Sequence, residues 1–196
     1  MFLACALPGL ALAVDVWRGH LGANPVETLE HATGQDAITI LLVTLCVTPV
    51  RRLTGWNRVQ RVRRMLGLWA FAYALVHVSV YVTFDQACTS WATCHLGAIW
   101  ADVLKRKFIL AGALTFTLLV PLALTSTKGM TRRLGRWWSR LHRLIYVAAV
   151  VALVHFFWSQ KSNVTKPLPW AIWLAALLGI RVFFGAGQRY RKRANL

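Results

Sequence analysis

The chain has 196 residues, of which 57% are hydrophobic and only 15% charged, and its mean hydropathy is +0.51. Soluble domains carry about 25% charged residues, so the composition disfavours a soluble globule. The 23 lysines and arginines outnumber the 6 acids and give a net charge of +17, but they cluster between long apolar runs. We therefore interpret them as membrane-flanking residues that contact lipid, with no role in nucleic-acid binding.

Six apolar segments are long enough, or nearly so, to cross a hydrocarbon core of roughly 30 Å as helices. The second is the shortest, and it spans only if residues 33–36 continue the helix or the bilayer thins. Pro49 is expected to end it, and Pro121 to kink the last turn of the fourth. We predict an all-α integral membrane protein, a single domain over residues 1–196, with six helices at about residues 2–17, 37–50, 65–84, 108–124, 141–158 and 168–184.

The first segment has a competing interpretation, because Ala11-Leu12-Ala13 resembles the cleavage site of a signal peptide. A signal peptide would require a basic residue before its apolar stretch, and no basic residue precedes Phe2. We therefore expect a retained helix.

The distribution of basic residues predicts which ends of the helices face the cytoplasm. Residues 51–64, 128–140 and 189–193 are rich in arginine and lysine, whereas all six acids lie on or near the opposite side. We expect both termini in the cytoplasm. Cys88 and Cys94 share an outer loop, and the pair forms a disulfide if that loop faces an oxidising compartment.

Three of the six histidines lie in or beside the third and fifth segments, where ionisable side chains are expensive to bury and indicate functional sites. Counted from the arginine-rich ends, His77 and His155 lie at equal depth and can face each other. Two facing neutral imidazoles suit the axial ligation of haem iron. Hydrogen bonding between helices is the alternative for a single histidine. Zinc and proton relay are weaker alternatives, because we expect no further ligand or acid at that depth.

The third histidine, His142, lies 13 residues before His155 and so roughly 20 Å closer to the cytoplasm along a helix. This predicts one site near each leaflet. Arg64 stands at the matching depth on the third segment, and it suits a haem propionate rather than iron. The two histidines are about 140° apart around an ideal helix, so a bend or two differently rotated rings would be needed. We predict His77, His155 and His142 as metal ligands for one or two haems, and Arg64 as a cofactor-binding residue.

The sequence contains no C-x-x-C-H motif for covalent haem, and no G-x-G-x-x-G or P-loop pattern. We therefore expect b-type haem. Electrons must come from quinol, from a flavin or from a separate reductase.

The stretch from Arg63 to Trp69 that leads to His77 resembles the third helix of the ferric-reductase-like transmembrane family, which includes the membrane domains of NADPH oxidases. Other stretches are similar to the MsrQ family of haem-binding membrane subunits, in the same order from about residue 21 to residue 170. They lie at residues 21–26, 31–34, 125–127, 134–146 and 155–159.

The resemblance implies an electron-transfer subunit of the bacterial inner membrane, rather than the subunit that reduces the substrate. It implies electrons taken from the quinone pool or a cytoplasmic flavin reductase and passed through haem b to MsrP, a periplasmic molybdopterin enzyme that repairs oxidised methionine in envelope proteins. It also implies FMN binding, and His77, His142 and His155 match the family's haem-associated histidines. Two alternatives remain open: a haem-containing reductase of ferric iron or oxygen, and a small transporter or scaffold whose histidines only bridge helices.

Overall fold

The computed structural model describes residues 2–89, 94–160 and 165–194, with side chains up to residue 184. The basic side chains of the tail, used above to assign the cytoplasmic side, therefore lie outside the described part. Every regular element in these ranges is helical. The helices are α1 (Phe2–Arg18), α2 (Pro25–Thr54), α3 (Gln60–Val80), α4 (Leu96–Lys105), α5 (Lys107–Leu124), α6 (Lys128–Leu134), α7 (Arg136–Leu141), α8 (Leu144–Ser159) and α9 (Leu168–Ala194); a 3-10 turn (Asn57–Val59) precedes α3 and a π-helical turn (Tyr81–Asp85) follows it.

Each of the six predicted apolar segments falls largely or wholly in helix. Four helical stretches of the described chain are long and apolar enough to cross a membrane, and the apolar helix Leu168–Phe184 is shorter. The four stretches are Pro25–Thr54, Asn57–Asp85, Lys107–Leu124 and Arg136–Ser159. The all-α membrane class is confirmed, whereas the number of six spanning helices stays a prediction.

Large apolar side chains cover much of the outer surface. Trp17 of α1 is 85% exposed, and Phe183 of α9 is 77% exposed. A soluble monomer rarely carries extended apolar surface, because water disfavours it. This surface fits a protein whose solvent is lipid.

The second helix starts twelve residues earlier than predicted, because its polar first turns are helical as well. The side-chain oxygen of Asn24 accepts a hydrogen bond from the N–H of Glu27 at 3.3 Å, and Pro25 occupies the first helical position, where no N–H partner is needed. The predicted start at residue 37 is therefore wrong. Glu30 and Asp36 lie in this candidate spanning helix, so the expectation of no acid there is also wrong.

Pro49 does not end α2, which continues to Thr54. A proline leaves the carbonyl four residues earlier without its helical N–H partner. That carbonyl belongs to Leu45, and Nη2 of Arg181 on α9 donates a hydrogen bond to it at 2.8 Å. The helix ends before Gly55, whose φ of 70° is a left-handed conformation that glycine adopts without strain.

The predicted fifth helix is interrupted by a turn at His142 and Arg143, between α7 and α8. The helix is thus interrupted beside His142, at one of the two histidines for which a bend or differently rotated rings were expected. The predicted start of a continuous helix at residue 141 is wrong, because α8 begins at Leu144.

The bundle is built from two helix pairs. The most extensive contacts join α2 to α3 and α5 to α8, while α9 packs against α2. Ala148 and Ala149 of α8 are fully buried, and such small residues let helix backbones approach closely in a membrane. The two pairs meet where α3 contacts α5 and α2 contacts α8.

Candidate metal centre

His77 of α3 and His155 of α8 lie together where the two helix pairs meet. Their ring centroids are 6.0 Å apart, and the ring planes are inclined by 75°. Two metal–imidazole bonds of about 2 Å each, together with two half-rings, add up to roughly 6 Å. The separation therefore suits one metal ion bound between the two rings.

Hydrogen bonds fix which nitrogen of each ring carries the proton. Nδ1 of His77 lies 2.9 Å from the carbonyl oxygen of Glu30, and Nδ1 of His155 lies 2.6 Å from that of Phe108. A carbonyl only accepts hydrogen bonds, so each Nδ1 carries the hydrogen and each neutral ring has its lone pair on Nε2. Neither Nε2 has a hydrogen bond to any described residue. Both rings are thus prepared to bind a metal through Nε2.

Each of these rings lies against a glycine of the neighbouring helix. A Cβ atom on Gly34 of α2 would lie 3.1 Å from Nδ1 of His77, and one on Gly112 of α5 would lie 2.9 Å from Cε1 of His155. Sequence analysis missed both glycines. Their spacing after Glu30 and Phe108 was visible, but only the structure shows which helices face the histidines.

His142 is held in a different way. Its ring stacks on that of Trp138 with centroids 4.0 Å apart, and its Nε2 lies 3.0 Å from Oγ1 of Thr125. The Thr125 hydroxyl donates to the carbonyl of Pro121 at 2.6 Å, so it accepts from Nε2–H of His142. The lone pair of the neutral His142 ring is therefore on Nδ1, the reverse of the arrangement at His77 and His155.

Arg64 does not lie beside His142. It is exposed and lines a groove of about 400 Å³ between α1 and α3, together with Phe2, Met65 and Trp69. The neighbouring Arg63 is the arginine whose charge acts on His142.

No three histidine, cysteine or acidic side chains come together as a metal-binding group in the described ranges. Glu30, whose carbonyl accepts from His77, also has a buried Oε1 with no hydrogen-bond partner in the described ranges. The centre therefore consists of two imidazoles, and the tetrahedral ligand set typical of zinc is not assembled around them.

A polar network joins α4 to the π-helical turn after α3. The carboxylate of Asp102, on α4, accepts hydrogen bonds from Tyr81 at 2.7 Å, from Gln86 at 2.9 Å and from Nε of Arg106 at 2.6 Å. The hydrogen bond from Arg106 is the main cause that lowers the pKa of Asp102, and it raises the pKa of Arg106. The sequence did not predict α4. The network fixes α4 against the π-helical turn. Arg106, a member of the network, lies two residues before Phe108, whose carbonyl accepts from His155.

Cys88 and Cys94, which lie between the π-helical turn and α4, form a disulfide bond. Residues 90–93 between them lie outside the described part. The bond is the one expected if the loop faces an oxidising compartment.

Comparisons with known proteins agree with the sequence resemblance. Residues 33–153 match the family described as the ferric reductase like transmembrane component. Curated relatives named protein-methionine-sulfoxide reductase heme-binding subunit MsrQ include one from Xanthomonas euvesicatoria pv. vesicatoria, 48% identical over 86% of this chain and 76% of the relative. Another, from Rhodospirillum rubrum, is 42% identical over 99% of this chain and 91% of the relative. A third, from Herminiimonas arsenicoxydans, is 40% identical over 99% and 88%. No solved structure is significantly similar.

Proposed function

Since the chain belongs to the ferric-reductase-like transmembrane family and, within it, to the MsrQ heme-binding subunits, we propose that it carries electrons across the bacterial inner membrane through haem b. The electrons come from quinol or a cytoplasmic flavin reductase, and they pass to MsrP, a periplasmic molybdopterin methionine sulfoxide reductase. The substrate-reducing chemistry belongs to that partner. Both termini of this subunit lie in the cytoplasm.

The observation that carries the proposal is the pairing of His77 with His155. Their centroid separation of 6.0 Å and the hydrogen bonds at both Nδ1 atoms fit a group that needs one nitrogen ligand on each side of its metal. The glycines beside the rings provide helix faces on which an imidazole can lie. A scaffold role accounts for the bonds to the carbonyls, but it does not account for two neighbouring imidazoles whose Nε2 atoms both lack a hydrogen bond to any described residue.

The chain's own residues would do three things at this centre. His77 and His155 would bind the iron, the carbonyls of Glu30 and Phe108 would hold the rings in the ligand tautomer, and the apolar helices would exclude water. When bound, haem supplies an iron that gains and loses one electron. Helix packing thus sets the position and the surroundings of the redox centre.

A second haem at His142 is the less strongly supported part of the proposal. Ligation through Nε2 of His142 would require the hydrogen bond to Thr125 to break. We propose weaker haem binding there than at the paired histidines. Arg64 remains our predicted contact for an anionic cofactor group, and Arg63 joins it as a candidate. FMN, which the family resemblance implies, remains part of the proposal.

An absorption spectrum of the purified protein, made with ample haem, tests the main proposal. We expect a Soret band that shifts on reduction with dithionite. His77→Ala and His155→Ala should each remove most of one haem, measured as pyridine haemochrome, whereas His142→Ala should affect a weaker site. His20→Ala changes an exposed histidine outside the centre and serves as the matched control. A colourless parent protein, or equal haem content in all the variants, would contradict the ligand assignment.

Co-purification identifies the electron acceptor. We expect a periplasmic molybdopterin reductase to be retained by the tagged protein in mild detergent, and its reduction by quinol to depend on His77 and His155. Retention of electron flow to ferric iron or oxygen alone, with no periplasmic partner, would favour the alternative acceptors.

A further inference from the structure

The two histidines of the centre are held by the same local arrangement, although they lie on different helix pairs. His77 donates from Nδ1 to the carbonyl of Glu30, and Gly34 follows that residue by four positions. His155 donates from Nδ1 to the carbonyl of Phe108, and Gly112 follows by four positions. The repeat of one spacing at both ligands indicates a shared geometric requirement.

The requirement follows from helix geometry. The carbonyl of residue i already accepts the N–H of residue i+4, so a further donor must reach its second lone pair from outside the helix. A helical side chain covers the turn on the N-terminal side of its own Cα, so the side chain of residue i+4 lies over the carbonyl of residue i. Glycine at i+4 therefore leaves that carbonyl open to the imidazole.

We infer that Gly34 and Gly112 are positioning residues for the metal centre: each uncovers the backbone carbonyl that orients one axial histidine, and together they set haem affinity and redox potential. The inference rests on the proposed function. It predicts the larger effect at Gly112, where a Cβ would lie 2.9 Å from Cε1 of His155 and the hydrogen bond is 2.6 Å long. The corresponding distances at Gly34 are 3.1 Å and 2.9 Å.

Substitution of these glycines by alanine distinguishes a positioning role from an effect on helix stability, because the two predict opposite outcomes. Alanine is favoured over glycine within a helix, so the helix itself should become no weaker. The added methyl group should displace the ring and stretch the hydrogen bond from Nδ1. A weaker bond makes the imidazole less electron-donating towards ferric iron, so the midpoint potential should rise.

The experiment compares Gly34→Ala and Gly112→Ala with Gly67→Ala in the intact protein. Gly67 is the matched control because it lies in α3, and a Cβ there would come no closer than 3.8 Å to a neighbouring atom, Cγ2 of Thr44. We expect haem affinity to fall by roughly 10- to 100-fold in Gly112→Ala, the usual cost of losing a partner that orients a metal ligand. The fall should be smaller in Gly34→Ala and absent in Gly67→Ala. The haem that remains should show a raised midpoint potential and a changed low-spin EPR signal.

Haem content, midpoint potential and EPR signal in Gly112→Ala that equal those of Gly67→Ala would overturn the inference. In that case the parent protein would still bind haem through its two histidines, and the proposed function would stand. Failure of the proposed function is visible earlier and separately: the parent would lack haem, or would keep it in His77→Ala and His155→Ala, and the positioning role would fall with it.

Discussion

The proline inside α2 and the arginine inside α9 form a pair whose interaction can be measured. Pro49 deprives the carbonyl of Leu45 of its helical partner, and Nη2 of Arg181 replaces it at 2.8 Å. The guanidinium also donates to the hydroxyl of Tyr146 and lies over its ring. We expect Arg181→Met to lower the free energy of unfolding, and we expect Pro49→Ala to reduce that loss.

The magnitude follows from the two hydrogen bonds. A hydrogen bond to a charged group is worth about 1.5–3 kcal/mol in water-soluble proteins, whereas hydrogen bonds between membrane helices average about 0.6 kcal/mol with a maximum near 1.7. Removing a half-buried charge also recovers part of its desolvation cost. We therefore expect Arg181→Met to cost about 2 kcal/mol, of which about 1 kcal/mol belongs to the bond with Leu45.

A double-mutant cycle isolates that bond. In Pro49→Ala, the new N–H at position 49 pairs with the carbonyl of Leu45, so Arg181→Met should cost about 1 kcal/mol less than in the parent. Unfolding by sodium dodecyl sulfate in mixed micelles, followed by tryptophan fluorescence, provides the free energies. Arg132→Met, at an exposed arginine of α6, is the control for loss of charge alone. An equal cost of Arg181→Met in both backgrounds would refute the capping role.

Three further predictions concern the periphery of the bundle. Tyr73→Phe removes a hydroxyl that bridges two backbone groups of α1 at 2.8 Å each, so hydrogen exchange in α1 should accelerate by the equivalent of about 1 kcal/mol; unchanged exchange would contradict this. The lowered pKa of Asp102 means that its bond with Arg106 is fully present above the ordinary aspartate range of about pH 4 and is lost as the pH falls through the lowered value. Protection of the α4 amides, measured relative to their intrinsic exchange rate at each pH, should therefore fall at acid pH. Asp102→Asn should abolish that dependence. Because Cys88 and Cys94 are joined, maleimide should label two of the four cysteines in the denatured protein and all four after reduction, as measured by intact mass; four labels without reductant would disprove the bond.

Depth along a helix could be predicted from the sequence, whereas rotation between helices could not. The rise of about 1.5 Å per residue placed His77 level with His155, and their rings lie 6.0 Å apart. The same count placed Arg64 level with His142, but Arg64 lines a groove with Phe2 and Trp69. A difference of one residue rotates a side chain by about 100° around the axis, and only packing against neighbouring helices decides which residue faces inwards.

Hydropathy also failed to predict the helix bounds that depend on particular hydrogen bonds. The start of α2 depends on Asn24 and Pro25, which are readable capping signals but do not raise hydropathy. Its continuation past Pro49 depends on Arg181, which lies more than a hundred residues later in the chain. The interruption beside His142 agrees with one of two expectations, a bend or differently rotated rings, that followed from the angle between His142 and His155 on an ideal helix. The roles of Gly34 and Gly112 could not be predicted, because a glycine in an apolar helix also serves ordinary close packing.

The two rings of the centre come from two separate hairpins of the bundle, α2 with α3 and α5 with α8. A ligand that binds both rings at once binds only the joined hairpins, and its binding free energy adds to the stability of that assembled state. The cofactor would thus hold the two halves of the bundle together. Cells starved of iron or porphyrin should then accumulate a chain whose halves separate more readily and which membrane proteases remove sooner.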